Sequence, residues 1–329
     1  MPVIWADGIN LQYKCTSLKV FNSIDDFTPG NGTVVTLGTF DGVHTGHRKI
    51  IERLMQSAGA GLETLLLTFF PHPRVVLQEG SDIRLLNTMA EKCELLQQTG
   101  LDNLVIHPFD KNFSRLTAEE FVRDILVAKF NIRKIIIGHD HRFGRNRTAD
   151  INDLIGFGET YDFEVEQISS LEINDISISS TKIRNALISG EIALANQYLG
   201  YDYFFSGTVV KGRQLGRQLG YPTANLYISD DYKLIPAIGI YVVSSFIDGQ
   251  KVYGMMSIGT NPTVGGTSQT IEVNYFDFEK DLYDREITVS VLCKIRDEEK
   301  FGTIEMLQHK LREDKEFSLS YIGNRKSES

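Results

Sequence analysis

Two glycine-rich stretches, one in each half of this 329-residue chain, carry side chains suited to holding phosphate. The first is Gly38-Thr39-Phe40-Asp41-Gly42-Val43-His44-Thr45-Gly46-His47. Glycines let a backbone approach a phosphate closely, and a helix starting just after them favours negative charge at its N-terminus. His44 and His47 share a face if the helix begins there. Two imidazoles so placed can donate to phosphate oxygens and stabilise charge in a transition state. Zinc ligation would need a third ligand at suitable spacing, and none is evident nearby. Two surface histidines without a role are the other reading, which the glycines and the strand–helix context oppose.

The second stretch is Lys211-Gly212 followed by Gly216-Arg217-Gln218-Leu219-Gly220-Tyr221-Pro222-Thr223-Ala224-Asn225. No GxxxxGK[ST] and no HRD segment occurs, so neither standard kinase loop applies. Thr223 and Asn225 alternate about Ala224, so in a strand both point to one side. Two neutral oxygens near phosphates can hold Mg²⁺; a polar turn is the alternative. Two unlike phosphate loops suggest two reactions that use the same nucleotide.

Three further segments bear on the first site. His72 follows the apolar run Thr68-Phe69-Phe70-Pro71. Gly138-His139-Asp140-His141-Arg142-Phe143-Gly144 precedes Arg145 and Arg147. Ser179-Ser180-Thr181-Lys182-Ile183-Arg184 puts hydroxyls at a helix start. Capping explains Ser179 or Ser180, but cations in a first turn oppose the helix dipole. A bound polyphosphate would reconcile them.

The elements that must position these residues alternate in the first half. Val34–Leu37, Leu65–Phe70, Leu104–Ile106 and Ile135–Gly138 read as short buried strands. Ile50, Ile51, Leu54, Met55 and Ala58 fall on one helical face. Thr88/Glu91 and Thr117/Glu120 have capping-box spacing. Apolar strands separated by helices imply a parallel sheet covered on both faces, with ligands beyond the strands' carboxyl ends. Past residue 200 the segments Tyr203–Val210, Ile240–Ile247, Val252–Ile258, Thr270–Phe276 and Glu286–Ile295 are β-branched and aromatic, with Gly, Asn and Asp turns between them. A small closed barrel is expected there, with one late helix around Thr303–Leu311. Thr181–Leu199 reads as helix connecting the halves.

Length favours two domains. The expected division is an N-terminal extension over 1–18, an α/β domain over 19–186, a helical linker over 187–202 and a barrel domain over 203–329. The net charge of -9, without a basic stripe, argues against a nucleic-acid binder. Cys15, Cys93 and Cys293 form no CxxC pair, which favours reduced thiols in a cytoplasmic protein. No apolar run reaches membrane-span length, and no secretory signal is evident. Self-association is open.

GTFDGVHTGH, GHDHRFG and SSTKIR resemble the nucleotidyltransferase module of prokaryotic bifunctional riboflavin kinase/FAD synthetases. GRQLGYPTANL, IPAIGIY, IGTNPT and TIEVNYFDF resemble the riboflavin kinase module, and the likeness runs from about residue 19 to 323. It implies a Rossmann-like α/β nucleotidyltransferase domain followed by an all-β six-stranded barrel with a C-terminal helix. It further implies phosphorylation of riboflavin to FMN in the barrel and adenylylation of FMN to FAD, with pyrophosphate released, in the α/β domain. ATP is the co-substrate of both, Mg²⁺ the metal, and riboflavin, FMN and FAD the flavin ligands.

By the same resemblance Glu272 is the kinase base, and His44, His47 and Arg184 act in adenylyl transfer. Gly38, Thr39, Phe40, Asp41, Gly42, Ser180, Thr181, Gly212, Gly216, Arg217 and Gly220 contact ATP or its phosphates. His72, Asp140, Phe143 and Asn261 contact flavin, and Thr223 with Asn225 holds Mg²⁺. Alone, a strand glutamate between Ile271 and Val273 could equally be a solvated face. The chain departs from the pattern at Asn274, where many relatives have His, and at Asp284, where Gly is usual. His141 stands for a common Phe and Ala149 for a frequent Gly. Two other readings differ in class: a nucleotidyltransferase acting on a pantetheine or glycerol phosphate and fused to an unrelated barrel, and a flavin-binding protein without catalysis.

Overall fold

The computed structural model describes residues 18–59, 61–78, 80–139, 141–169, 178–212, 216, 220–263 and 266–328. The reading of 1–18 as an extension therefore lies almost wholly outside the described residues. Of these, 18–85 with 92–179 form one compact unit, and 86–91 with 180–328 form the other.

The first unit is a six-stranded sheet in the order β1-β4-β3-β2-β5-β6, every pair parallel. Its strands are β1 (Lys19–Phe21), β2 (Thr33–Leu37), β3 (Glu63–Phe70), β4 (Asn103–Pro108), β5 (Ile132–Gly138) and β6 (Glu164–Ile168). The central strands are those expected from continuous apolar runs; all five residues of β2 are buried. The two edge strands were not expected. β1 has three residues, and β6 reads Glu-Val-Glu-Gln-Ile, too polar and short for an apolar signal.

Helix α1 (Thr45–Ser57) buries Ile51 and Leu54, as its apolar spacing requires. α2 (Pro73–Leu77) is one short turn, α3 (Met89–Gln97) follows the Thr88/Glu91 capping box, and α4 (Ala118–Glu120) follows that of Thr117/Glu120. After α4 the chain widens into a π-helical turn over Phe121–Val127, with Ala128 N–H bonding Arg123 O at 3.1 Å and Phe130 N–H bonding Ile125 O at 3.0 Å. Phe121, Val122, Ile125 and Leu126 all reach the core beneath it. α5 (Ile151–Tyr161) ends the unit's helices among the described residues.

The second unit opens with α6 (Ser180–Ile188) and α7 (Ile192–Leu199), separated by Gly190 at φ 77. A single connecting helix was expected there; glycine's left-handed conformation breaks it in two. Asn196 of α7 donates to the Val291 carbonyl at 2.9 Å. The barrel strands are β7 (Phe204–Val210), β8 (Ala224–Tyr227), β9 (Gly239–Ile247), β10 (Gln250–Thr263), β11 (Gly266–Tyr275) and β12 (Glu286–Arg296). They close in the order β10-β11-β8-β7-β12-β9, all antiparallel.

α8 (Ile304–Glu328) runs far past the helix expected at Thr303–Leu311. Its buried positions among the described residues are Asp314, Ser318 and Ile322, two of the three polar, so the stripe gives no apolar period. Arg296 satisfies Asp314 with a two-pronged bond at 2.9 and 2.8 Å, and Ser318 donates to the Asp314 carbonyl at 2.7 Å.

One buried ion pair pins Leu86–Glu91 within this unit. Lys233 Nζ donates to Glu91 Oε2 at 2.5 Å, to Leu86 O at 2.7 Å and to Phe204 O at 2.8 Å. Its side chain has no exposure and lies over the Tyr203 ring. Glu91 also accepts from Thr88 N and Ser206 N at 2.9 and 3.1 Å. Both charges are thus fully hydrogen-bonded, which is what makes such a pair tolerable. Lys233→Met strands Glu91 and is expected to cost about 3–5 kcal/mol. Urea unfolding measures this; a loss below about 1 kcal/mol would contradict the description.

Candidate functional site

The first site grows from the carboxyl end of β2. Gly38 N–H continues the ladder to Leu67 O at 3.0 Å, and the chain then turns away. Phe40 (φ 45), Gly42 (φ 87) and Val43 (φ 35) follow in left-handed conformations. That region suits glycine and is costly for phenylalanine and a β-branched valine. Packing holds the loop there, since Phe40, Asp41, Val43 and His44 are all buried. The Thr39 carbonyl is gripped twice, by Lys92 Nζ at 2.7 Å and Thr68 Oγ1 at 3.2 Å.

His44 is the N-cap of α1. Its Nδ1 accepts the His47 N–H at 3.3 Å. An accepting Nδ1 carries a lone pair, so the proton of the neutral ring sits on Nε2 as a donor. The His47 ring stacks on it, centroids 3.6 Å apart, and also meets Phe40 at 4.7 Å. His47 Nδ1 is buried and has no hydrogen-bond partner among the described residues. Burial lowers His44 to about 4, against the opposing pull of the Asp41 carboxylate. Burial and then the neighbouring His44 push His47 well below its ordinary value. Burial also lowers Lys92, opposed by Asp41. Both imidazoles are therefore neutral donors at pH 7.

This has a stability consequence. The folded value of His44 lies below the unfolded 6.5, so the unfolded chain binds more protons between about pH 4 and 6.5. The contribution is complete above that window and declines as pH falls through it, by up to about 3 kcal/mol. His44→Asn keeps a capping oxygen and removes the imidazole. Its destabilisation between pH 7 and 4.5 is expected to be about 2 kcal/mol smaller than that of the unsubstituted chain in urea titrations. An equal loss would contradict the burial of a neutral His44.

Other expected residues fall variously. His72 caps α2, its Nδ1 accepting Arg74 N–H at 3.1 Å. Phe143 exchanges backbone bonds with Ala149 and packs in the core against Phe121, 7% exposed. Gly144 (φ 72) passes so close to Ala118 that a Cβ would lie 2.9 Å from its nitrogen. Asp140 lies outside the described residues. Ser180, Thr181 and Arg184 open α6, in the second unit.

The second site lies where β8 meets β11. Glu272 pairs in register with Asn225 on one side and Ser257 on the other. Thr223 Oγ1 donates to Glu272 Oε2 at 3.0 Å. The Asn225 side chain lies against Gly212, where any Cβ would overlap its amide. Gly216 O accepts Tyr221 N–H at 2.8 Å, and a Cβ on Gly216 would overlap the Tyr221 carbonyl. Gly220 sits at φ 81. Arg217 lies outside the described residues, and Asn261 is described only as a β10 backbone position opposite Ser268. The structure thus brings Thr223, Asn225, Glu272, Gly212 and Gly216 to one end of the β8–β11 pair.

Two polar residues were missed. Lys92 could have been noticed as a cation in the first turns of α3, the same anomaly that drew attention to Lys182 and Arg184. Asn274 was noticed only as a departure, without a partner. Its Nδ2 donates to Pro222 O at 2.7 Å.

A histidine-capped loop on a parallel sheet and a Thr–Glu pair on a closed barrel are two places suited to transferase chemistry on nucleotides. Residues 27–182 match the family model for FAD synthetase and residues 199–322 that for riboflavin kinase. The chain belongs to the family of bifunctional riboflavin kinase/FMN adenylyltransferases. The Escherichia coli K12 enzyme of that name is 34% identical over 310 residues, covering 93% of this chain and 98% of the relative. The Listeria monocytogenes enzyme is 37% identical over 302 residues, covering 91% and 95%. A crystal structure from Streptococcus pneumoniae, described as a macrolide-efflux protein, superposes with a TM-score of 0.84 at 33% identity, covering 92% and 98%. Among the described residues no helix is long and apolar enough to cross a membrane.

Proposed function

We propose that the barrel transfers the γ-phosphoryl group of ATP to the ribityl 5′-hydroxyl of riboflavin, and that the α/β unit transfers AMP from ATP to FMN. The first reaction yields FMN and ADP, the second FAD and pyrophosphate. Residues 19–186 are assigned to the second activity and 203–329 to the first, with 187–202 joining them.

The observation that carries the kinase reading is the Thr223–Glu272 bond beside Asn225. A ribityl hydroxyl is a poor nucleophile while protonated, and a carboxylate within reach takes its proton as attack proceeds. Glu272 is assigned that role. Thr223 and Asn225 supply hard, neutral oxygens, which suit Mg²⁺ held mainly by phosphate oxygens. No cluster of three His, Cys, Asp or Glu able to hold a metal exists among the described residues. When bound, Mg²⁺ would neutralise charge on the transferring phosphates. Gly212, Gly216, Arg217 and Gly220 are assigned to the nucleotide loop.

FMN brings an already ionised phosphate, so adenylyl transfer needs positioning and charge stabilisation rather than a base. His44 and His47, neutral and preorganised, are assigned as donors to the phosphates. Gly38 to Gly42 form the close-approach loop. Ser180, Thr181 and Arg184 are assigned to the polyphosphate on sequence likeness alone. His72, Asp140 and Asn261 keep their flavin assignment on the same ground. Phe143 keeps its flavin assignment on sequence likeness as well.

The reading includes no nucleic-acid or membrane partner, a cytoplasmic setting for thiols such as Cys93 and Cys293, and an unassigned state of self-association. The phosphorus products test it. By ³¹P NMR, riboflavin with Mg-ATP should first release ADP, and FMN with Mg-ATP should release pyrophosphate without ADP. Pyrophosphate from neither mixture, or ADP from neither, would remove the corresponding half of the proposal.

A further inference from the structure

We propose that Asn274 is a positioning residue for riboflavin phosphorylation, holding the Pro222-Thr223 turn in place by its side-chain amide. The inference rests on the kinase reading above and adds to it a residue outside the phosphate loop and the base.

β8 and β11 pair at Asn225 with Glu272 and at Ala224 with Val273, and the ladder stops there. Two residues further along β8's approach is Pro222, which has no N–H to give. Backbone pairing cannot continue through it. Asn274, two residues after Glu272 and so on the same face of β11, takes over: its Nδ2 donates to the Pro222 carbonyl at 2.7 Å. The next residue, Thr223, donates to Glu272 Oε2 at 3.0 Å. β11 thus grips the turn at two consecutive residues, with side chains that share one strand face.

The anchor itself is rigid. Asn274 is 7% exposed. It lies opposite Met255 of β10, which pairs in turn with Val242 of β9. Both belong to the cluster that Ile322 of α8 closes. Gly254 lies so close to the Asn274 backbone that a Cβ there would overlap its carbonyl. A group held this firmly can fix a turn that the ladder has released.

The departure from His at this position then has a chemical reading. Asparagine Nδ2 and histidine Nδ1 are both nitrogen donors on the δ position of the side chain, so either can reach the same carbonyl. Asparagine supplies that donor in every protonation state, whereas histidine does so only as the proper tautomer or when charged.

Substitution tests this in the full chain. Asn274→Leu keeps the branched side-chain shape, at larger volume, and removes the donor. It is expected to lower kcat/KM for riboflavin phosphorylation by about 10- to 100-fold, because a displaced turn misplaces reacting groups. The Mg²⁺ concentration for half-maximal rate should rise with it, a readout that loss of packing would not move. FAD formation from added FMN should be unchanged. Asn274→His should retain phosphorylation within about 3-fold, since the donor is kept. If Asn274→Leu loses the near-ultraviolet circular dichroism of the barrel, Asn274→Asp decides, being isosteric without a donor when ionised. A folded Leu or Asp variant with unchanged kcat/KM and Mg²⁺ requirement would overturn the inference, as would a His variant as poor as Leu. The unsubstituted chain run alongside separates the two levels of reading. No FMN from it overturns the kinase reading and this inference together; FMN from it and equally from the Leu variant overturns this inference alone.

Discussion

Glu272→Gln is expected to lower FMN formation from riboflavin by about 10²- to 10⁴-fold, the usual contribution of a positioned general base. Glutamine keeps the shape and, through its carbonyl oxygen, can still accept the Thr223 hydroxyl that now bonds Glu272 at 3.0 Å. It cannot take a proton from the ribityl hydroxyl. The loss should therefore fall on kcat, with riboflavin and ATP binding little changed. FAD formation from added FMN should stay within about 2-fold, since that reaction needs no base. A variant that still makes FMN at near the unsubstituted rate would remove Glu272 from the chemistry. A folded variant that also loses FAD formation would contradict two separate sites.

His47→Ala is expected to do the reverse. It should lower FAD formation from FMN by about 10²- to 10³-fold, as does loss of a preorganised donor to a developing oxyanion. The cap of α1 should survive, because His44 Nδ1 accepts from the backbone N–H of residue 47 and not from its side chain. What disappears is a buried ring stacked at 3.6 Å on His44 and 4.7 Å from Phe40. FMN formation from riboflavin should be unaffected. Loss of FMN formation in a folded variant would overturn the assignment of His47 to adenylyl transfer.

Much of the fold was legible because burial on both faces writes an uninterrupted apolar run. β2, β3 and β5 carry such runs and were found; β1 is too short and β6 too polar to do so. The barrel strands were visible through their β-branched and aromatic content. The second half of α8 was not, because Asp314 and Ser318 occupy its buried stripe and are satisfied by Arg296 and by the helix itself.

For the sites, glycine spacing and histidine spacing marked the loops, whereas the N-cap role of His44 emerges only from the structure, where the helix begins at Thr45. Lys92 and Asn274 were hidden because their partners are backbone carbonyls, Thr39 O and Pro222 O, distant in sequence. A carbonyl is present at every position, so no residue type announces such a bond.

Two independent sites on this chain are proposed to act in succession on one flavin. Complementation between two single variants checks this. Glu272→Gln alone and His47→Ala alone should each fail to make FAD from riboflavin and Mg-ATP, the first stopping before FMN and the second accumulating it. Mixed in one tube, they should restore FAD, detected by chromatography, because each supplies the site the other lacks. A mixture of folded variants that makes no FAD, while the unsubstituted chain does, would contradict independent sites.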